Sequence, residues 1–336
     1  MNAPRSCDEC TRGLTPPRSP RGFTIPRPEQ IATSLGMSDL LQPARELTLN
    51  VTEFRSYLAC PYRYFLRHVL KLQTLDDDAV ELDALSFGNV LHEVLRKFGQ
   101  SDLRDSADAE KLRKWLCQLL DEVAEDQFGP RRRAAINVQL KQLESRLEAF
   151  ARWQATWRRE GWTIAYAEVS VRPRVDVSDV SQTDAAHQPA FTVDGLPVWL
   201  HGRIDRIDHN EVTGEWAIFD YKSGDKGASP EETHRKRKSE WVDLQLPLYR
   251  HLARVFSLSQ EPRLGYINLP KDLGGVGASF AEWSRDELSD ADAAAMRVAR
   301  CVACREFWPP TDPPPSSLQE FNDICQVKVF GGGHND

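Results

Sequence analysis

Long apolar runs are missing from this chain, and none of its segments could span the hydrocarbon core of a bilayer. The basic-then-apolar layout of a secretory leader is also missing from its N-terminus. These two absences lead us to expect a soluble, intracellular, cytoplasmic protein with no membrane partner. Cysteine is sparse, seven residues in 336, and the number is odd. A small secreted disulfide scaffold is therefore not expected, and reduced thiols or a metal-cluster role are the options left. Cys7 and Cys10 form a lone C-x-x-C, half of a zinc site, with no second pair at finger-like spacing to complete it. No G-x-x-x-x-G-K-[ST] loop occurs, so the chain carries no ATP site of that kind, and any ATP-driven step would come from a partner. Positive charge is not in excess: the formal net charge is -7. On totals alone this weighs against a polyanionic partner, but local charge matters more. Arg131-Arg132-Arg133 and His234-Arg235-Lys236-Arg237-Lys238 are two basic runs in an otherwise acidic chain. Taken alone, each reads as a solvated surface stretch.

What is present suffices for one large core. Residues 1–45 are rich in Pro, Arg and Ser without a sustained apolar period, and are expected to be a disordered tail or a misassigned start. From Leu47 the pattern becomes globular. Thr52 is placed to cap a short helix, and Pro61 to open a second with Tyr62, Phe65, Leu66 and Val69 on one face. An acidic loop, Asp76-Asp77-Asp78, precedes a helix through Leu85, Val90, Leu91, Val94, Leu95 and Phe98. Further helices are expected over 108–128 and 131–160, the second with Ile136, Leu140, Leu143, Leu147, Phe150 and Trp157 at helical spacing.

The period then changes. Residues 163–174 alternate as a strand, 175–190 read as a polar loop, and 196–208 and 216–222 read as two strands. The turn-rich segment 209–215 joins those two as a hairpin. A helix over about 240–257, a strand near 264–269 and a helix over about 285–306 follow, and Pro309, Pro310, Pro313, Pro314 and Pro315 open an irregular tail. The expected fold class is α/β, a mixed central β-sheet flanked by helices. Residues 46–330 would form one domain: 46–160 mainly helical, 161–280 the sheet core, and 281–330 the last helix and its proline-rich tail.

The chemistry concentrates between Gly202 and Lys222, G-R-I-D-R-I-D, a turn, then W-A-I-F-D-Y-K. Residues two apart in a strand share a face, so Asp220 and Lys222 share one, and Phe219 and Tyr221 the other. A hairpin symmetric about Val212–Thr213 sets Asp205 opposite Asp220 on that same face. Two carboxylates and an ammonium would then converge. The carboxylates repel, and a divalent cation such as Mg²⁺ or Mn²⁺ removes the conflict. Such an ion beside a lysine suits phosphoryl transfer. A surface hairpin with a Lys222–aspartate salt bridge would give the same D-x-K string, so the surroundings decide.

Those surroundings resemble the RecB-type exonuclease branch of the PD-(D/E)XK nuclease superfamily. Five stretches occur in the family's order: Thr52 to Phe65 with its Cys-Pro-aromatic core, Gly88-x-x-x-His92, Gly202 to Asp208, Asp220-Tyr221-Lys222, and Gln245-x-x-x-Tyr249. The resemblance implies a restriction-endonuclease-like core. It implies metal held by His92, Asp205, Asp220 and the Tyr221 backbone carbonyl, with Lys222 as the catalytic lysine. Gln245 and Tyr249 would support the active site and DNA contact. Gly88 would leave space beside the imidazole. Glu168 resembles a further acidic position. The implied activity is Mg²⁺- or Mn²⁺-dependent hydrolysis of phosphodiester bonds in DNA, single-stranded or with free ends. An exonuclease in repair or recombination is implied, with a helicase acting in trans. The alternative is a non-catalytic DNA-binding or assembly component of a helicase–nuclease complex.

Many relatives in that family hold a [4Fe–4S] cluster on four cysteines, and here Cys60, Cys301, Cys304 and Cys325 are the matching candidates. Cys301 and Cys304 precede the Phe307-Trp308-Pro309-Pro310 segment, where the family's cysteines follow it. That departure argues against the cluster, and Cys60 otherwise reads as a small buried hydrophobe.

Overall fold

The computed structural model describes residues 25–37, 44, 46–72, 84–172, 188–237, 239–311 and 321. In chain order these form helix α1 (Pro28–Ser34), strand β1 (Leu47–Asn50), α2 (Glu53–Ala59), and α3 (Pro61–Tyr64), which runs into a π-turn over Phe65–Val69. Three longer helices follow, α4 (Ala84–Gly99), α5 (Ala109–Phe128) and α6 (Ala134–Arg159). Next come β2 (Trp162–Val171), β3 (Phe191–Val193), β4 (Leu196–Asn210), β5 (Trp216–Lys222), α7 (Pro230–His234), β6 (Arg235–Lys236) and β7 (Glu240–Trp241). The described chain closes with α8 (Gln245–Ala253), β8 (Arg263–Asn268), β9 (Gly277–Phe280) and α9 (Arg285–Ala303). No described helix is long and apolar enough to cross a membrane.

β4 is the spine of the sheet. Its first part pairs parallel with β1 up to Asn50↔His201 and antiparallel with β3. Its second part pairs antiparallel with β2 from Gly202 onward, and with β5 from Arg206↔Phe219 to His209↔Trp216. β5 then pairs parallel with β8, and β8 antiparallel with β9. The sheet is therefore mixed, as expected. Over Gly202–Asp205, after β1 has ended and before β5 begins, β4 has no strand partner among the described residues other than β2.

Helices cover both faces, which explains the nearly unbroken apolar run of β5. Ala217, Phe219 and Tyr221 pack with Phe98, Leu116, Leu147, Phe150 and Trp157 of α4, α5 and α6. Ile218 packs on the other side with Leu246, Tyr249 and Leu252 of α8 and Val298 of α9. Fully burying one such side chain stabilises by about 1.5–3 kcal/mol. The alternation expected for residues 219–222 is the one that forms. The hairpin register also matches: 206↔219 through 209↔216 is symmetric about residues 212–213. Asn210 sets that turn, its side-chain oxygen accepting from the N–H groups of Val212 and Thr213 at 2.9 and 3.0 Å.

The second aspartate of G-R-I-D-R-I-D has a structural task. Asp208 takes two hydrogen bonds of 2.7 Å from Arg206 and one of 2.8 Å from Trp157 Nε1, and Arg206 also donates to Gln154 at 2.8 Å. Both charged residues are fully buried. This pairing ties β4 to α6. Arg146 makes a second tie: its guanidinium donates to the carbonyls of Ser223 at 2.6 Å and Leu269 at 3.0 Å, just beyond the ends of β5 and β8.

Several expectations need correction. Residues 1–45 are not all tail, because α1 forms within them, with proline in its first turn and Gln30 reaching back to the Arg27 N–H at 2.8 Å. Pro28 and Ala32 are buried, and Tyr62 donates to the Pro26 carbonyl at 2.8 Å. Thr52 precedes α2 but does not cap it; its hydroxyl donates to Asn50 Oδ1 at 2.8 Å. The helix expected over 240–257 starts only at Gln245, since Glu240 and Trp241 pair with Lys236 and Arg235 as strands β7 and β6. The acidic loop 76–78, Cys7, Cys10, Lys238, Pro313–Pro315 and Cys325 lie outside the described residues.

Candidate active site and metal centre

Three neighbouring strands each bring one carboxylate. Extending the β4–β5 register by one residue sets Asp205 opposite Asp220, and extending the β2–β4 register sets Glu168 opposite Asp205. The ladder breaks at Glu168, which sits at φ 52 in the left-handed region. A non-glycine residue there is strained, and strain of this kind gathers at functional sites. Upstream, a bulge between Ile164 and Tyr166 shifts the pairing of β2 by one residue.

α4 brings His92 to this row from one side of the sheet. Its Nδ1 lies 3.6 Å from Asp205 Oδ2 and 3.8 Å from Glu168 Oε1. His92, Glu168 and Asp205 each offer one ligand atom, all within 4.8 Å of one another. The buried His92 Nδ1 and both Glu168 oxygens make no hydrogen bond of good geometry, although Arg203 Nε stands 2.7 Å from Glu168 Oε2. One imidazole nitrogen and carboxylate oxygens form a donor set that fits a divalent cation. Gly88, one turn before His92, faces Ser223 instead of opening room beside the imidazole: a Cβ there would stand 3.4 Å from the Ser223 hydroxyl.

α8 approaches from the other side. Gln245 donates to Asp220 Oδ1 at 2.9 Å and to Tyr249 OH at 2.6 Å, and the Tyr249 hydroxyl lies 3.4 Å from the same Asp220 oxygen. Lys222 Nζ is 2.7 Å from Asp220 Oδ2. Asp205 accepts from the Tyr221 N–H at 3.0 Å, while the Tyr221 ring packs edge-on to His92 and Phe150. Asp205, Asp220, Lys222, His92, Tyr221, Gln245 and Tyr249 thus meet in one place. They line a cleft of about 550 Å³ that also includes Asn50, His201, Arg172 and Arg203. The cleft lies over the gap in the pairing of β4.

Burial, and then the negative neighbour Asp220, push the Asp205 carboxyl up to about 7, with Glu168 adding to the effect. His92 and the Tyr221 N–H act the other way. Burial opposes charge on His92, but Glu168, Asp205 and Asp220 outweigh it and raise its pKa. Burial likewise opposes charge on Lys222, and Asp220 more than offsets that. Lys222 is therefore an ammonium at neutral pH, suited to orienting a water or stabilising negative charge and not to accepting a proton.

The two basic runs fare differently. Arg131 and Arg133 are exposed at the α5–α6 turn. In the other run His234 is buried, and Arg235 bonds internally to Glu231 at 3.2 Å and Glu287 at 2.5 Å, leaving Lys236 and Arg237 exposed. The reading of this run as a solvated surface stretch thus fails at His234 and Arg235.

Of the candidate cluster cysteines, Cys60, Cys301 and Cys304 lie among the described residues. Cys60 is buried, its sulfur accepting from the Thr311 N–H at 3.4 Å, and Cys304 is half-buried at the end of α9. Cys301 is disulfide-bonded. No potential metal-binding group among the described residues includes Cys60, Cys301 or Cys304. A [4Fe–4S] cluster needs four thiolates, and the described residues bring no such set together.

Residues 48–326 match the sequence model of the PD-(D/E)XK nuclease superfamily. The chain belongs to that superfamily. Among curated proteins, this PD-(D/E)XK chain is similar to a subunit of the ATP-dependent helicase/deoxyribonuclease of Staphylococcus aureus, in strains JH9, JH1 and N315. It is 27% identical to each over 248 residues, covering 68% of this chain and 19% of the relative. It therefore spans about a fifth of the length of these relatives. The mixed sheet with flanking helices is the fold of the superfamily, and the sequence resemblance to its RecB-type branch stands beside these relatives.

Glu168 is the acidic position that the sequence marks least, and it completes a donor group with His92 and Asp205. Arg203 and Arg146 escape a reading of the sequence altogether. The only sequence signal for Arg203 is its place inside G-R-I-D, and for Arg146 its place among apolar residues on the inner face of α6.

Proposed function

We propose that this chain is a divalent-metal-dependent deoxyribonuclease that hydrolyses phosphodiester bonds, acting on DNA with free ends in repair or recombination. The observation that carries the reading is the meeting of Asp205 and Asp220 with His92 and Lys222 in an open cleft, with Glu168 beside His92 and Asp205. His92, Glu168 and Asp205 would hold Mg²⁺ or Mn²⁺, with Asp220 and the Tyr221 carbonyl as further oxygen donors. Bound there, such an ion polarises a phosphoryl oxygen and makes water more acidic. Asp220 is held in place for its part by Gln245 and Tyr249. Lys222 orients the attacking water and offsets charge that grows on the phosphate oxygens. Arg203, Arg172 and the exposed arginines of the α5–α6 turn are candidates for backbone phosphate contacts, which predicts affinity that falls steeply with salt.

The curated relatives are named as part of a helicase/deoxyribonuclease, and a helicase partner supplying single strands belongs to the same proposal. A non-catalytic assembly role would not require the acidic row, the histidine and the lysine to be retained together. The test is digestion of end-labelled linear and circular DNA, single- and double-stranded, with Mg²⁺ or Mn²⁺ and in EDTA. Metal-dependent loss of linear but not circular substrate is expected. No cleavage of any substrate with either ion would refute the reading.

A further inference from the structure

We propose that Tyr266 is a positioning residue for Lys222: a buried tyrosine ring, backed by the buried His234, fixes where the ammonium stands in the cleft. The proposal rests on Lys222 acting on the phosphate as described above. Lys222 Nζ lies 4.7 Å from the centroid of the Tyr266 ring. A cation over a ring face is held by the ring's electron density, and more firmly when water is kept out. Tyr266 is 1% exposed and stands beside Asp220 in the β5–β8 pairing.

The ring is itself held from behind. Tyr266 OH is 2.5 Å from His234 Nε2, and His234 Nδ1 is 2.9 Å from the Asp243 carbonyl oxygen. A carbonyl can only accept, so Nδ1 carries the proton and donates. His234 is 1% exposed, and burial lowers its pKa, which keeps the ring neutral. Nε2 is then a bare acceptor, and the Tyr266 hydroxyl must donate to it. Donation leaves more electron density on the phenol oxygen and ring, which favours the cation above.

The chain of contacts closes on itself. Asp243 Oδ1 accepts from the Gln245 N–H at 2.9 Å, and the Gln245 side chain donates to Asp220 at 2.9 Å. Asp220 meets Lys222 at 2.7 Å, and Lys222 stands over Tyr266. One closed path therefore fixes both the carboxylate and the ammonium. Once Asp220 shares its charge with a cation, its hold on Nζ weakens, and the tyrosine ring is the contact that keeps the ammonium in place. His234 opens a run of basic residues that reads as surface, so its burial is a finding of the fold.

The test compares Tyr266→Leu, which removes the ring, with Tyr266→Phe, which keeps the ring and loses only the hydroxyl. Displacing a catalytic group by about an ångström costs up to about 100-fold, so Tyr266→Leu should lower kcat by about 10- to 100-fold with KM within about twofold. Tyr266→Phe should restore most of that, to within about fivefold of wild type. A second readout needs no turnover. In protein reductively methylated with ¹³C, the Lys222 methyl signal, assigned by its loss in Lys222→Arg, should be shifted upfield by the tyrosine ring. It should stay shifted in Tyr266→Phe and return to the ordinary position in Tyr266→Leu. Equal kcat in wild type and Tyr266→Leu, equal damage in both variants, or an unshifted Lys222 signal in wild type would overturn the proposal. Absence of cleavage by the wild type with a shifted Lys222 signal would instead refute the nuclease reading and leave the ring–ammonium contact standing.

Discussion

Replacing Asp205 by asparagine should stabilise the metal-free protein at pH 8, although it removes a residue at the heart of the site. Asp205 is 6% exposed and its carboxyl is raised from an ordinary 3.8 to about 7, by burial first and by Asp220 next. Between those two values the folded chain binds more protons than the unfolded chain, so stability falls as pH rises through the window and is level above it. The difference of about three pH units corresponds to a penalty on the order of 4 kcal/mol at pH 8. His92 adds to the same trend: its raised pKa gives stability that is present below its unfolded value and lost as pH rises through its folded value. Asparagine keeps an oxygen for the Tyr221 N–H and never ionises. Urea unfolding followed by circular dichroism at pH 4, 5, 6, 7 and 8 in EDTA reads the effect directly. Groups with lowered values, such as the buried His234 and His251, act oppositely in both proteins and cancel in the comparison, so the difference between variant and wild type should grow from pH 4 to 7. Asp205→Asn should gain about 2–4 kcal/mol over wild type at pH 8 and little at pH 4. Adding Mn²⁺ at pH 8 should stabilise the wild type and leave the variant unmoved. Parallel pH curves for the two proteins, or a variant less stable than wild type at pH 8, would refute the electrostatic reasoning.

Glu168→Gln should weaken Mn²⁺ binding by about 10-fold or more in calorimetry, since it neutralises one member of the tight donor group; unchanged affinity would exclude Glu168 as a ligand. Asp208→Ala should cost about 3–5 kcal/mol in urea unfolding, because it strands the fully buried Arg206 charge. Replacing both Arg206 and Asp208 by apolar residues should recover much of that loss, and a double variant as damaged as the single one would contradict the ion-pair account. Gly202→Ala should cost about 1–3 kcal/mol, because its Cβ would stand 2.7 Å from Val51 Cγ2 and 3.1 Å from Leu252 Cδ1; a neutral midpoint shift would show that β1 and α8 give way there.

The row of site residues on β4 and β5 is legible in the sequence because two independent periods agree. Strand alternation puts Asp220 with Lys222, and a turn centred on 212–213 puts Asp205 across from Asp220. Gln245 and Tyr249, four apart, need only helical spacing to share a face, and both reach Asp220. Glu168 is harder to place. The bulge between Ile164 and Tyr166 shifts the pairing of every later residue of β2, and the left-handed backbone at Glu168 redirects its side chain. Neither leaves a glycine or proline marker in the sequence. β1 and β3 escape the sequence pattern because they are short and gain their stability from pairing with distant β4. His234 and Arg235 read as surface from composition alone, but the ring contact with Trp283 and the pairing of Arg235 with Glu287 draw them inward. Those contacts depend on α9 and the segment before it, about 50 residues further along the chain.

The most direct measurement is single-turnover hydrolysis of a 5′-labelled linear single-stranded DNA in Mn²⁺ by wild type, Asp220→Ala and Lys222→Ala, prepared side by side and checked for equal folding. Cleavage by the wild type that falls by about 100- to 1,000-fold in both variants is the predicted result. Equal cleavage rates in all three proteins would contradict the claim that this carboxylate and this ammonium carry the chemistry.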